Sequence, residues 1–510
     1  MAALGDLLEL CGEIYDLGRA RALSAWDERT QMPPRGAESR AEQLATLTRL
    51  RHQRLSSDGL GRLLDRAEGE VSGLEYDSFE ASLVRVTRRE WDKARRVPAE
   101  LRAEIARVTS HSETAWESAK RESDFPGFLP HLEHVLLLTR RYLECFDYEH
   151  PYDPLLDDYE PGMKTDEVRP VLTELRDGLR PLLDGIASRA DAVDDSPLYG
   201  DFPLEAQVRL AREVLAGLPL EPGAWRLDET THPFATGIAI SDLRITTRFD
   251  PSYIGAALWA VIHEAGHAMY QNGIDSRLAR TPLCRSVSLG FDESQSRMWE
   301  NWIGRGRGYL SRIRPLLAEL FPERLGEVDA EALYRASNRV RPSLIRMEAD
   351  EVTYNLHIVL RFELELDLIE ERLAPADLPE AWNARMQEYL GVDVPDDAHG
   401  VLQDVHWAGG AFGYFPTYSL GNVIAGQLWD AAGSELGDLD AILAADEGPA
   451  LRDWLRERLY RHGGTLLPAE MVQRACGGPL DTGPLLAQLR SKFGEIYGLD
   501  PAETATQSVS

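Results

Sequence analysis

Two histidines one helical turn apart, inside an otherwise apolar run, constrain this chain more than any other feature. The run is Ala256-Ala257-Leu258-Trp259-Ala260-Val261-Ile262, then His263-Glu264-Ala265-Gly266-His267, then Ala268-Met269. Spacing of i, i+4 puts both imidazoles on one face of a helix, where they can share an ion. The apolar flanks suit a buried helix. Glu264 is offset by one residue, so it can reach a water at the ion without binding the ion itself. The plain alternative is a pair of core or solvated histidines that match the pattern by chance.

A catalytic zinc site takes a third protein ligand and leaves one position open. Downstream, the segment 290–300 offers two adjacent carboxylates, Asp292 and Glu293. On a helix, Glu293, Arg297 and Glu300 share one face while Asp292 points elsewhere, which favours Glu293 as the third ligand. Surface charge is the ordinary alternative for both acids. Imidazole and carboxylate accept cobalt or manganese as well as zinc.

Helical periodicity dominates the rest of the chain. Leu7, Leu8, Leu10, Ile14, Leu17 and Leu23 recur at helical intervals over 3–29, and Pro33-Pro34 stops the pattern. Similar patterns occupy 36–56, 74–97, 98–120, 128–148, 166–190, 204–216, 253–272, 346–373 and 448–461. Only Trp225 to Phe249 alternates as strands do, which predicts a small sheet just before the histidine helix. No long Gly/Ser or Pro-rich linker divides the chain. The expectation is a mainly α protein with one large helical catalytic domain over 1–501. Its N-terminal helical part covers about 1–200, its metal-site part about 201–501, and a flexible polar tail covers 502–510.

Charge excludes some partners. Acidic residues outnumber basic ones by 85 to 55, for a net charge of -30. Such a surface repels nucleic acid and anionic membranes. No stretch is long and apolar enough to span a bilayer. The first six residues, Met1 to Asp6, lack a basic lead into an apolar stretch, and the four cysteines are scattered without a CxxC pair. Both features fit a cytoplasmic protein with buried, reduced thiols. Lysine stands only at Lys93, Lys120, Lys164 and Lys492. Abundant carboxylate with scarce lysine suits concentrated salt; a GC-rich genome that swaps lysine for arginine explains the same bias.

Several ordered motifs then stand out: His232-Pro233-Phe234, Asp242-Leu243-Arg244-Ile245-Thr246, the histidine motif, and Ile345-Arg346-Met347-Glu348-Ala349-Asp350. Gly400-Val401-Leu402-Gln403-Asp404-Val405-His406-Trp407 and the aromatic stretch Phe412 to Tyr418 follow, and Trp26-Asp27 precedes them all. With these motifs in this order, nearly the whole chain resembles the carboxypeptidase Taq family of zinc metallocarboxypeptidases. The resemblance implies a helical fold with a deep substrate groove, a small sheet beside the metal, and often a homodimer. It implies peptide substrates trimmed from the C-terminus with broad specificity. It also implies that Glu293 completes the metal site with His263 and His267. The family motif there begins with histidine, and this chain has Asp292 instead.

In that frame Glu264 is the general base, and His406, Tyr414 and Tyr418 are candidate donors to the oxyanion. Core packing is the alternative for each aromatic. Arg346, then Arg244, is the candidate for gripping the substrate carboxylate, since arginine's fork makes two parallel bonds. A salt bridge is the alternative, with Asp350 one helical turn from Arg346. Glu348, His357 and His232 are candidate supports for the ligands. Two rivals stay open. One is a zinc oligopeptidase or dipeptidyl carboxypeptidase. The other is a non-catalytic, metal-containing peptide-binding protein, against which Glu264 argues, because a structural metal needs no base.

Overall fold

Apolar residues every three to four positions build the first helix, Ala2–Thr30, which buries Leu4, Leu7, Cys11, Ile14 and Trp26 and leaves Leu8 and Leu23 exposed. The structure is a computed structural model and describes residues 2–445 and 448–500. The expected tail, 502–510, lies outside them. The chain is mainly α-helical, and the described residues form one three-stranded sheet. No helix among them is long and apolar enough to cross a membrane.

The chain folds into two units, each assembled from three stretches. The first takes residues up to Arg95, then Asp195–Ser337 and Leu428–Pro479; the second takes Arg96–Asp194, Asn338–Gln427 and the stretch from Leu480.

In the first unit, strands β1 (Trp225–Glu229), β2 (Ala235–Ala239) and β3 (Asp242–Thr247) form a sheet of order β1-β3-β2. β1 runs parallel to β3, with Arg226 opposite Arg244, and β2 runs antiparallel to it. The sheet lies against the histidine helix, Gly255–Gly273: Asn272 Nδ2 donates to the Ile240 carbonyl at 3.0 Å. Two of the sequence motifs, His232-Pro233-Phe234 and Asp242 to Thr246, meet here. The Phe234 N–H donates to Thr246 Oγ1 at 2.7 Å, and that hydroxyl donates back to the Phe234 carbonyl at 2.8 Å.

In the second unit, the helix Thr353–Ile369 is buried along nearly its whole length. It starts later than the expected 346–373. Asp350 competes with the helix for backbone bonds, accepting from the N–H groups of Val352 at 3.0 Å and Thr353 at 2.9 Å. Arg346–Glu348 is therefore only a 3₁₀ turn, and Asp350 serves as a cap rather than as a partner for Arg346. The four cysteines are free; Cys11 and Cys284 are buried, whereas Cys145 and Cys476 are only partly so.

Candidate functional site

The histidine helix fills the core of the first unit with Val261, Ile262 and Ala265, and turns His263 and His267 to its edge. Their ring centroids are 5.2 Å apart. A second helix, Leu289–Arg297, starts where Ser288 Oγ accepts from the Phe291 N–H. It sets Glu293 across from both histidines: Glu293 Oε2 is 3.8 Å from His263 Nε2 and 3.6 Å from His267 Nε2. Ligand atoms of the three residues all lie within 4.8 Å of one another. Gly266 permits this approach. A Cβ there would stand 2.6 Å from both the Gln295 carbonyl oxygen and Ser296 Cα, so main chain packs where any other residue has a side chain.

The next turn, Met298–Gly304, is a π-helix, and it brings Glu300 to His263. With its proton on Nδ1, His263 donates to Glu300 Oε2 at 2.9 Å, leaving Nε2 for an ion. Arg305 lies 4.7 Å over the Trp259 ring and donates to Glu300 Oε1 at 2.9 Å. Arg297 Nε donates to Glu293 Oε1 at 2.7 Å, as the shared helical face predicts. Asp292 does not point elsewhere: its Oδ2 is 3.1 Å from His267 Nδ1. Adjacent helical residues differ by about 100°, so Glu293 faces both Nε2 atoms while Asp292 meets His267 from its Nδ1 side. Support of the ligands thus falls to Glu300 and Asp292. His232 and Glu348 are exposed, and His357 lies in the second unit, 3.1 Å from the Ser343 carbonyl.

The electrostatics of the centre suit a cation. Burial opposes charge on Glu293, yet Arg297 and the two histidines hold its carboxyl below the usual range. Burial opposes charge on Glu300 too, and the bond from His263 with the Arg305 and Arg297 charges holds it lower still. Glu264, only 6% exposed, is pushed up by burial, with the histidines pulling back. Burial also disfavours charge on His267, but Asp292, Glu264 and Glu293 raise its imidazole to about 10. A pocket that grips a proton this firmly is short of positive charge. Two imidazoles and a carboxylate are a donor set for a divalent ion, so the residues fit one.

The second unit gathers the remaining candidates except Arg244. Arg346 donates through Nε and Nη2 to Asp404 Oδ1, at 3.1 and 2.9 Å, and through Nη1 to the Tyr354 hydroxyl at 3.1 Å. Arg361, fully buried and absent from the sequence reading, donates to Asp404 Oδ2 at 2.7 Å. Burial raises the Asp404 carboxyl, but the two guanidinium groups more than reverse it and hold it far below the usual range. Arg346 thus already grips a carboxylate of the protein. His406 stands beside Tyr414, ring centroids 5.2 Å apart, with Nε2 3.4 Å from the Tyr418 hydroxyl. Burial lowers its imidazole to about 4, with Asp404 pulling it up and Arg346 and Arg361 pushing it down. At neutral pH the cluster therefore offers uncharged N–H and O–H donors. Arg244, on β3 of the first unit, donates to both oxygens of Asp242, at 2.6 and 3.0 Å, and lies 4.7 Å over the Trp26 ring. Arg226 lies 5.0 Å over the same ring, which accounts for Trp26.

A family model described as carboxypeptidase Taq (M32) metallopeptidase matches residues 6–493. Thermostable carboxypeptidase 1 of Thermus thermophilus is 43% identical over 98% of this chain and 99% of its own length. Carboxypeptidase 1 of Bacillus subtilis is 36% identical over 96% of this chain and 98% of its own. The crystal structure of an M32 carboxypeptidase from Deinococcus radiodurans covers 98% of this chain and 100% of its own, with a TM-score of 0.95 and 39% identity.

Proposed function

The chain belongs to the carboxypeptidase Taq (M32) family of metallopeptidases, and from its own residues we propose how it acts as a metal-dependent carboxypeptidase. The observation that carries the reading is the cluster of His263, His267 and Glu293 with buried Glu264 beside it. These three residues would hold the divalent metal, zinc in this reading, which when bound supplies Lewis acidity toward water and the scissile carbonyl. Glu300 and Asp292 keep the two imidazoles oriented through their Nδ1 atoms. Glu264 takes a proton from the attacking water and passes it to the departing amine. Burial suits it to this work, because a carboxylate with a raised affinity for protons is the stronger base.

His406, Tyr414 and Tyr418 supply hydrogen bonds to the oxyanion, a role for which the neutral state of His406 fits it. Arg346 is the group assigned to the substrate carboxylate, and it can take that role only by sharing its fork with Asp404. Arg244 is the second candidate, with its Nε and Nη2 on Asp242. The family resemblance also carries a homodimer into this reading, and four free cysteines fit the reducing cytoplasm.

The test is mass spectrometry of one peptide, with free and with amidated C-terminus, digested by metal-loaded wild type and by Glu264→Gln. Stepwise loss of single C-terminal residues from the free peptide alone, abolished in the variant, is the expected result. Internal cleavage of the amidated peptide would make the enzyme an endopeptidase and overturn the reading.

A further inference from the structure

Glu365 is a buried carboxylate with no part in the chemistry above. It lies on the helix Thr353–Ile369 and takes three neutral donors. The Trp407 indole donates to Oε1 at 2.7 Å; the Gly413 N–H at 3.0 Å and the Tyr152 hydroxyl at 2.5 Å donate to Oε2. None of the three is a cation. A charge buried this way is costly, and an apolar side chain would fill the space more cheaply.

What the carboxylate holds is one loop, at both ends. Trp407 directly follows His406, and Gly413 directly precedes Tyr414. Between them the loop turns on its own backbone, with the Ala411 N–H on the His406 carbonyl at 2.8 Å and the Gly410 N–H on the Trp407 carbonyl at 3.1 Å. Gly413 has φ +86°, and a Cβ there would stand 2.5 Å from the main chain of Leu155, so the loop is pressed against backbone at that point. Trp407 packs edge-on against Trp382 and Phe415.

We propose that Glu365 is a positioning residue for peptide hydrolysis: one oxygen holds Trp407 and the other holds Gly413, and together they set the separation and aim of His406 and Tyr414. The inference rests on the reading that His406 and Tyr414 donate in the transition state. It requires a carboxylate. A glutamine has one acceptor oxygen, and its amide hydrogens would face an indole or backbone N–H. The Tyr152 hydroxyl can rotate to accept; those two groups cannot.

The test is a double-mutant cycle in peptide hydrolysis, pairing Glu365→Gln with His406→Ala and with Tyr414→Phe, with metal content and melting temperature measured for each variant. Misplacing a donor should lower kcat more than it raises KM. The expected loss is about tenfold or more for Glu365→Gln, with metal content kept and the variant still folded at the assay temperature. Little further loss should appear on the His406→Ala background, because residues acting as a unit are not additive. Trp407→Phe removes the same tie from the donor's side and should behave alike, which covers a Glu365→Gln that fails to fold. Unchanged kcat in Glu365→Gln, or losses that multiply in the double variants, would overturn the proposal and leave the roles of His406 and Tyr414 standing. Full activity of both His406→Ala and Tyr414→Phe would remove those roles and the proposal with them.

Discussion

His263 Nδ1 is hydrogen-bonded to Glu300, and His267 Nδ1 lies 3.1 Å from Asp292 Oδ2, so each metal-facing imidazole has a carboxylate at its other ring nitrogen. Replacing such a partner typically weakens metal binding about 10- to 100-fold. Glu300→Gln and Asp292→Asn should each do so in a chelator competition, with the fold intact by circular dichroism. Glu300→Gln should be the worse, since it also strands Arg305 and Arg297 beside a neutral amide. Affinity unchanged in both would mean that His263, His267 and Glu293 need no support. Glu264→Gln, by contrast, should keep its metal and lose about 10²- to 10⁴-fold in kcat, the usual worth of a general base. These roles were unequally legible in the sequence. The i, i+4 histidines are a local code, readable once a helix is inferred. The partners of their Nδ1 atoms depend on how a second helix approaches, which no local pattern records, so Asp292 was expected to point away.

Two local devices decide that approach: Gly266, which lets main chain pass where a Cβ would stand, and the π turn that carries Glu300 round to His263. Gly266→Ala should destabilise the protein by about 1–3 kcal/mol, because the clash is with backbone and cannot be relieved by a rotamer change. Thermal denaturation with and without metal would show it, and an unchanged melting temperature would mean that the helices part freely. A second element-scale expectation concerns pH. Burial raises Glu365 from 4.5 to about 7, against its three donors. The folded state then holds that proton more tightly than the unfolded chain does. Its contribution to stability is full below pH 4.5 and is lost as pH rises through about 7. Melting temperatures of wild type minus Glu365→Gln should therefore fall across that window; a flat difference would mean that Glu365 titrates as an ordinary carboxyl. Helices were legible where stop signals are local, as at Pro33-Pro34, and Thr165–Ala187 was legible even with Pro170 and Pro181 inside it. Asp58–Val71, Arg307–Leu320, Ala330–Ser337, Leu378–Leu390 and Gly483–Tyr497 went unexpected, and Ala330–Ser337 contains neither Gly nor Pro.

Over the whole molecule the net charge of -30 sets the response to salt. Self-repulsion among exposed carboxylates weakens as ions screen it, so raising KCl from millimolar to molar should raise the melting temperature. A steady fall would show instead that the surface arginine–carboxylate pairs, such as Arg88 with Asp65 and Glu68, contribute more than the repulsion costs. The mainly helical architecture was readable from periodicity, and the division into two units was not, because no change of composition marks the points where the chain crosses between them. That threading has a consequence during synthesis. Each unit draws its last stretch from beyond residue 427, so neither core can close until most of the chain has left the ribosome. The nascent polypeptide therefore carries the apolar histidine helix unfinished from its own synthesis until the stretch Leu428–Pro479 has emerged.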